Sequence, residues 1–354
     1  MRQWISMLVV LVILSAVPLA ATTASAEEEL RIYIWSEYMD EEKMPAEFEK
    51  KFGIKVRLDF FENLEEMMAK LQAGGIRQYD IVDLADYNMT AALALDLIQP
   101  LDHAKIPNLK NIMPKFQEYY FDPGNKYSIP YQWGTTGLMY RREKVSDADA
   151  QSWDVLFDDS RDSGSFFLID STQEMIGIAL AYLGHDPNST DPKKLKAAVD
   201  LLKKAKQRKG CMGFKGGAGA KNDVVSGVAQ AAIAYNGDAM RGIEEDPEAM
   251  GFSIPKEGAP LWIDVLAIPK EAPNPDAAHK WMNWLLEAQT GADLSNYNRY
   301  ATPNKASLPL INKEDLENPG IYPSDAVMKK LFWLKDPGDN MRILDEAWTR
   351  IKSQ

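Results

Sequence analysis

"LRIYIWSEYMDEEKMP", Leu30 to Pro45, decides how the chain is read. Leu30, Ile32 and Ile34 alternate with Arg31, Tyr33 and Trp35, the two-residue period of a strand. Ser36, Glu37 and Tyr38 follow at once, and a helical stretch begins a few residues later. Such a strand end places Trp, Ser, Glu and Tyr at the edge where open α/β sheets bind ligands. Working outward, "EEKMPAEFEKKFG" predicts a helix closed by Gly53, and "IKVRLDFF" a strand. "NLEEMMAKLQAGG" predicts a helix with an Asn cap, an acidic first turn and a glycine stop. "YDIVDLA" reads as a third strand and "MTAALALDLI" as a helix. This β-α-β-α-β-α order predicts a mostly parallel sheet with helices on both faces.

Further on, "YSIPYQWGTTGLMY", Tyr127 to Tyr140, is extended and reads as a crossing from one lobe to another. A second unit follows, with "SFFLID" as a strand and "TQEMIGIALAYLG" and "DPKKLKAAVDLLKKAKQ" as helices. "VAQAAIAYNGDAM" reads as a small-residue strand ahead of a turn, and "APLWIDVLAIP" as the return crossing. "PDAAHKWMNWLLEAQTG" reads as one helix with Trp281, Trp284 and Leu285 on one face, and "DNMRILDEAWTRI" as a final amphipathic helix.

The first 26 residues read as a leader. Arg2 supplies the positive start, "MLVVLVILSAVPLA" the apolar core, and Ala24-Ser25-Ala26 a cleavage site. The apolar run is interrupted by Ser15 and Pro18 and falls short of the roughly 20 residues of a spanning helix. The mature chain is expected to be exported and soluble. Its one cysteine, Cys211, has no intrachain partner and lies far from the cleavage site, so no lipid anchor is expected there. A periplasmic protein fits these facts. Arg2 is the leader's only charged residue, so its removal takes the formal net charge from −12 to −13. That charge argues against nucleic acid and is compatible with a cationic ligand. About 328 mature residues exceed what one core usually supports, so two lobes are expected. No repeat or long Pro/Ser linker separates them, so they are joined by crossings within ordered structure.

Catalytic and metal signatures are scarce. His103, His185 and His279 lack ligand spacing, and with one cysteine a zinc site of the usual type is not expected. "GGAGAKN", Gly216 to Asn222, lacks the Gly-Lys-Ser/Thr ending of a phosphate loop and a convincing strand before it, so it reads as a flexible loop. Neither a G-x-S-x-G elbow nor a dinucleotide fingerprint appears, and nothing requires an enzyme or a cofactor. An exported carboxylate-dependent hydrolase stays open only because acids are plentiful.

What recurs is an acid beside aromatics at strand ends. Trp35, Glu37 and Tyr38 form one set; Tyr235, Asn236 and Asp238 another; Trp262 and Asp264 lie within "LWIDV"; Glu174 stands at a helix start. Each has a plain alternative: the helix dipole favours Glu174 where it is, and Trp262 suits a core. Asp264 interrupts an apolar strand, and a lone buried Asp is costly unless paired. Together the set suits a flexible alkyl ammonium ion. Carboxylates meet its charged ends, and aromatic faces cover its methylenes and accept cation–π contacts of about 0.5–1 kcal/mol each when exposed.

At this point the chain resembles the periplasmic putrescine- and spermidine-binding proteins of ABC importers, nearest the putrescine type. The marks are "YIWSEY", "FENLEEMMAKLQAG", "YDIVD", "YSIPYQWGTTGLMY", "AYNGDA", "FSIPKEGAPLWIDVLAIP", "YATPNKAS" and "ENPGIYP". The resemblance implies two α/β lobes, each a mostly parallel sheet flanked by helices, with a ligand cleft between them that closes by hinge motion. It implies a first lobe of residues 27–135 plus 264–308 and a second of 136–263 plus 309–354. It also implies a monomeric receptor that hands a polyamine, most of all putrescine, to membrane permease subunits without a catalytic step. Other cations remain open: spermidine, cadaverine or agmatine. By motif, Trp35, Ser36, Glu37, Tyr38, Glu174, Tyr235, Asp238, Trp262, Asp264 and Tyr300 are carried over as ligand contacts, with Tyr235 standing where the family usually has Trp. The family's "V-V-P-S" segment is "VDLAD" here: a hydroxyl contact becomes Ala85, an acid appears at Asp86, and Tyr87 is retained. Ser171 replaces an Asp of spermidine binders, which weakens a spermidine reading, while Asp238 with Asp264 favours a short diamine.

Overall fold

The structure is a computed structural model that describes residues 28–353. The leader and its cleavage site lie outside the described residues. Three strands, β1 (Glu29–Trp35), β2 (Lys55–Phe61) and β3 (Ile81–Ala85), alternate with α1 (Lys43–Phe52), α2 (Leu64–Gln72) and α3 (Asp86–Ala94). Local chemistry sets these ends. Gly53 closes α1 at φ 71°, a conformation that costs glycine nothing, and the Asn63 side chain caps α2 by accepting from Glu66 N–H at 3.0 Å. The third helix begins at Asp86, earlier than its apolar run suggests, and stops at Ala94.

The long β4 (Ser128–Arg141) follows, then α4 (Asp154–Phe157), β5 (Phe166–Ile169), α5 (Thr172–Tyr182), α6 (Pro192–Gln207) and β6 (Cys211–Lys215). Next come α7 (Gly217–Val225), β7 (Ala231–Tyr235), α8 (Asn236–Glu245), β8 (Met250–Ser253) and β9 (Pro260–Ala267). The chain ends with α9 (Pro275–Leu285), α10 (Ala288–Asn298), α11 (Lys313–Glu317), α12 (Asp325–Met328), β10 (Phe332–Trp333) and α13 (Met341–Lys352).

The strands run β2-β1-β3-β9-β4-β7-β5-β6, with β10 beside β9 and β8 beside β4. β2, β1 and β3 are mutually parallel, as are β7, β5 and β6; β4 and β9 are antiparallel to each other and to β7 and β3, while β10 runs parallel to β9. β4 pairs with β9 from Ser128 to Thr135 and with β7 from Thr136 onward, so it changes partners within one step. One buried cluster surrounds β1, β3, β9 and α9; a second gathers α5, α6, β5 and α13; a third, smaller one joins α7, α8 and β7. Gly134 marks a close approach where β4 passes Trp262. A Cβ there would meet Asn236 and lie 2.7 and 2.8 Å from two Trp262 ring atoms.

Three expectations need correction. The glycine-rich run after Lys215 is a helix, α7, and a strand, β6, does precede it. Burial of Ala218, Ala220 and Val224 outweighs the low helix propensity of its glycines. In β6, Gly213 at φ 105° and a half-buried setting hide the strand pattern. "YNGDAM" starts the helix α8 rather than a turn. The stretch from Pro275 to Gly291 is two helices, because Glu287 turns extended at ψ 143° between them.

Candidate ligand-binding site

The carboxyl ends of β1, β3 and β7 and the first half of β9 surround a cleft whose empty space, open solvent included, is about 470 Å³. Trp35, Ser36 and Tyr38 enter it from the end of β1, Ala85 and Tyr87 from the β3–α3 junction, and Glu174 from α5. Tyr235 and Asp238 come from the β7–α8 junction, Trp262 and Asp264 from β9, and Tyr300 from the segment after α10. Leu64 and Ala218 complete the wall. Ten of the twelve side chains singled out from sequence therefore line one cavity; Glu37 and Asp86 do not.

The aromatic rings form an unbroken edge-to-face chain. Trp35 meets Tyr235 at 6.0 Å between centroids, Tyr235 meets Trp262 at 5.7 Å, Trp262 meets Tyr300 at 5.3 Å, and Tyr300 meets Tyr38 at 5.1 Å. Edge-to-face pairs are favourable beyond their burial by about 0.5–1.5 kcal/mol each, so the wall holds its shape without a ligand.

The carboxyls are buried and short of partners. Asp264 accepts from Tyr38 Oη at 2.7 Å; burial, opposed by that bond and reinforced by the nearby Glu174, pushes it up to about 7. Burial also pushes Glu174 up to about 7, against hydrogen bonds donated by Thr136 Oγ1 at 2.7 Å and Tyr235 Oη at 3.1 Å. Asp238 rises to about 6, again through burial, with Lys221 opposing. No lysine or arginine is among the residues that line the cavity. The site is therefore rich in negative potential and ready to ionise once a cation enters.

Asp86 lies at the head of α3 and is 1% exposed. Its Oδ1 accepts from Tyr87 N–H at 2.9 Å, Oδ2 has no partner, and burial drives its carboxyl well above the usual range. Glu37 is turned away by a left-handed backbone at φ 55°. Its Oε2 takes Lys221 Nζ at 2.7 Å and Arg241 Nη1 at 3.1 Å, and its backbone oxygen accepts from Arg241 as well. Burial opposes its ionisation, but these two cations win and hold the carboxyl below its ordinary range. Glu37 thus ties the end of β1 to α7 and α8. Asn63 Nδ2 donating to Asp170 O and Thr172 N–H donating to Glu65 Oε1, both at 3.3 Å, bridge the same gap between α2 and α5.

Sequence reasoning missed Asp83. It sits in β3, fully buried, with neither carboxyl oxygen bonded. The signal was available, since an acid inside "YDIVDLA" breaks an apolar strand as Asp264 does. Four helix N-termini also point at this region: α3, α5, α7 and α8 begin at or beside cavity residues. Three of them carry an acid in the first turn, Asp86, Glu174 and Asp238, where the dipole favours negative charge.

The chain matches the family described as bacterial extracellular solute-binding protein over residues 43–322. It is 36% identical over 372 aligned positions to the putrescine-binding periplasmic protein PotF of Escherichia coli strain K12, covering 99% of this chain and 98% of that protein. It is 34% identical to the putrescine-binding periplasmic protein SpuD of Pseudomonas aeruginosa strain UCBPP-PA14, covering 93% of each. A crystal structure of the spermidine/putrescine ABC transporter substrate-binding protein PotD from Streptococcus pneumoniae superposes with a TM-score of 0.75 at 31% identity, covering 92% of this chain and 99% of that one.

Proposed function

The chain belongs to the bacterial extracellular solute-binding protein family, and from that premise we propose that it is a periplasmic receptor that captures a polyamine, putrescine above others, and delivers it to an ABC importer. The observation that carries this reading is the cavity itself: Glu174, Asp238 and Asp264 converge, with Asp83 and Asp86 buried close by, and no cationic side chain lines it. Proteins rarely keep buried acids unpaired, so a cation is the missing partner. Asp264, Glu174 and Asp238 supply charge, while Trp35, Tyr38, Tyr235, Trp262 and Tyr300 cover the methylene chain. Ser36 and Tyr87 add hydroxyl contacts. The names of the relatives support a polyamine.

The rest of the reading follows from the same premise. The leader of residues 1–26 is removed on export, no lipid is attached, and the receptor works as a monomer without a catalytic step. Its lobes are residues 27–135 with 264–308, and 136–263 with 309–354; the change of partners within β4 supports the first boundary. No helix among the described residues is long and apolar enough to cross a membrane.

Thermal unfolding of the mature protein, refolded to strip carried-over ligand, tests the reading. Putrescine at 100 times its Kd is expected to stabilise the fold by about 2.7 kcal/mol, an upward shift of several degrees. Spermidine at equal concentration should shift it less. An unmoved transition with every polyamine would leave only the fold in common with the relatives.

Glu37 acts at a distance from the ligand. Glu37→Gln leaves the buried Lys221 with a weaker partner and loosens the tie between β1 and helices α7 and α8. We expect a loss of about 1–3 kcal/mol in affinity, carried by faster dissociation in stopped-flow displacement. An unchanged dissociation rate would mean that this ion pair does not hold the cavity shut.

A further inference from the structure

Asp83 is the one buried acid of this region that neither binds a protein group nor touches the cavity. It is 0% exposed, and neither Oδ1 nor Oδ2 has a hydrogen-bond partner. Residues two apart on a strand share a face, so Asp83 points to the same side of the sheet as Ala85, which lines the cavity. Ala85 lies directly opposite Asp264 across the β3–β9 ladder, and Asp83 opposite Leu266. Asp83 and Asp264 are therefore diagonal neighbours on one face, about 7–8 Å apart by the geometry of such pairs.

The surroundings offer no positive charge. The groups whose field reaches this pair are Tyr38 from the loop after β1, Tyr131 from β4, Tyr235 at the end of β7, Tyr300 after α10, Asp86 from α3 and Glu174 from α5. Gln132 of β4, also opposite Asp264, is neutral and engaged with Ser295. The basic groups nearest the site, Lys221 and Arg241, are both held by Glu37, and their field reaches Asp238 rather than Asp83 or Asp264. The backbone of Leu84 favours the charged form of Asp83, but burial outweighs it, and a fully buried carboxylate with no side-chain donor and no counter-ion is untenable in such a setting.

We propose that Asp83 carries a proton in the empty receptor and gives it up to solvent when a dication settles against Asp264, so that two carboxylates rather than one oppose that end of the ligand. Asp83 is then a positioning residue that acts through Asp264, and it makes capture release a proton. The inference rests on the cationic-ligand reading above.

Calorimetric titration of putrescine in buffers of different ionisation enthalpy reads the released protons directly. At pH 8.5 Glu174, Asp264 and Asp238 are already ionised in the empty site, since they titrate near 7, 7 and 6. Release there comes from a group held still higher, and burial holds Asp83 well above the ordinary range. The wild-type protein is expected to release close to one proton per ligand at pH 8.5. Asp83→Asn, which keeps the shape, is expected to lose that release and to bind about tenfold more weakly at this pH. Retained release in Asp83→Asn, with Asp86→Asn losing it, would move the proton to Asp86 and overturn the proposal. Absence of release from a wild-type protein that binds putrescine would overturn it too, leaving the polyamine reading intact; absence of binding would instead sink that reading. Should Asp83→Asn fail to fold, infrared difference spectra of the wild-type protein decide. A protonated-carboxyl band must disappear on binding at pH 8.5, and its persistence refutes the proposal.

Discussion

Asp264→Asn is expected to lose ligand and gain stability together. The side chain stays the same size and still accepts from Tyr38, whose hydroxyl lies 2.7 Å from Oδ2. What disappears is a negative charge enclosed near Glu174 and Asp83. Removing one partner of a buried charge pair costs about 2–5 kcal/mol of binding, a roughly thirtyfold to several-thousandfold rise in Kd. The empty protein has no cation to repay the burial of that charge, so its unfolding free energy near pH 8 should rise by about 1 kcal/mol or more. Titration calorimetry and denaturant melts of stripped protein read the two effects separately. Unchanged affinity would remove Asp264 from the site. Weakened binding with weakened stability would make it a structural acid instead.

The second large effect is an opposition between two pH dependences. Glu174 titrates near 7 in the folded chain against an ordinary 4.5, and Asp264 near 7 against 3.8. The folded state therefore holds protons that the unfolded chain has already released between about pH 4 and 7, so the empty receptor loses stability as pH rises through that window. For Glu174 alone the loss amounts to about 3 kcal/mol. Binding needs those same groups ionised, so affinity for a dication should climb over pH 5.5 to 8. Melting the stripped and the loaded protein at pH 5 and pH 8 tests both slopes. A stripped protein more stable at pH 8 than at pH 5 would show that these carboxyls are not the dominant titrating groups.

Much of this was legible in the chain. The strand ends at Trp35, with Tyr38 just beyond, and at Tyr235 announced themselves because an aromatic beside an acid breaks the two-residue pattern just where the strand stops. Asp264 stood out for the same reason within an apolar strand. Asp83 carried that same mark, but its strand was short and the neighbouring Asp86 drew the reading. Glu37 was placed in the wall because proximity in sequence does not reveal a left-handed backbone that turns one residue out between two that point in. Helix α7 was hidden for a different reason: its glycines speak against a helix locally, and only packing of Ala220 and Val224 on neighbouring elements reverses that. The pairing of β4 first with β9 and then with β7 is likewise invisible to periodicity, since both halves of the strand are buried on both faces.

The arrangement of helix starts around the cavity has one more consequence. Four helices direct their amide ends toward one void, and such ends ordinarily attract anions from solution. Here three of the four carry an acid of their own in the first turn, Asp86, Glu174 and Asp238. The place where a helix end would attract a free anion is thus taken by a side chain of the protein, and the solute is recruited as counter-ion when that side chain ionises. Ligand polarity in such a scaffold is written in a handful of first-turn residues, and the same framework can exchange cationic for anionic cargo without altering a strand.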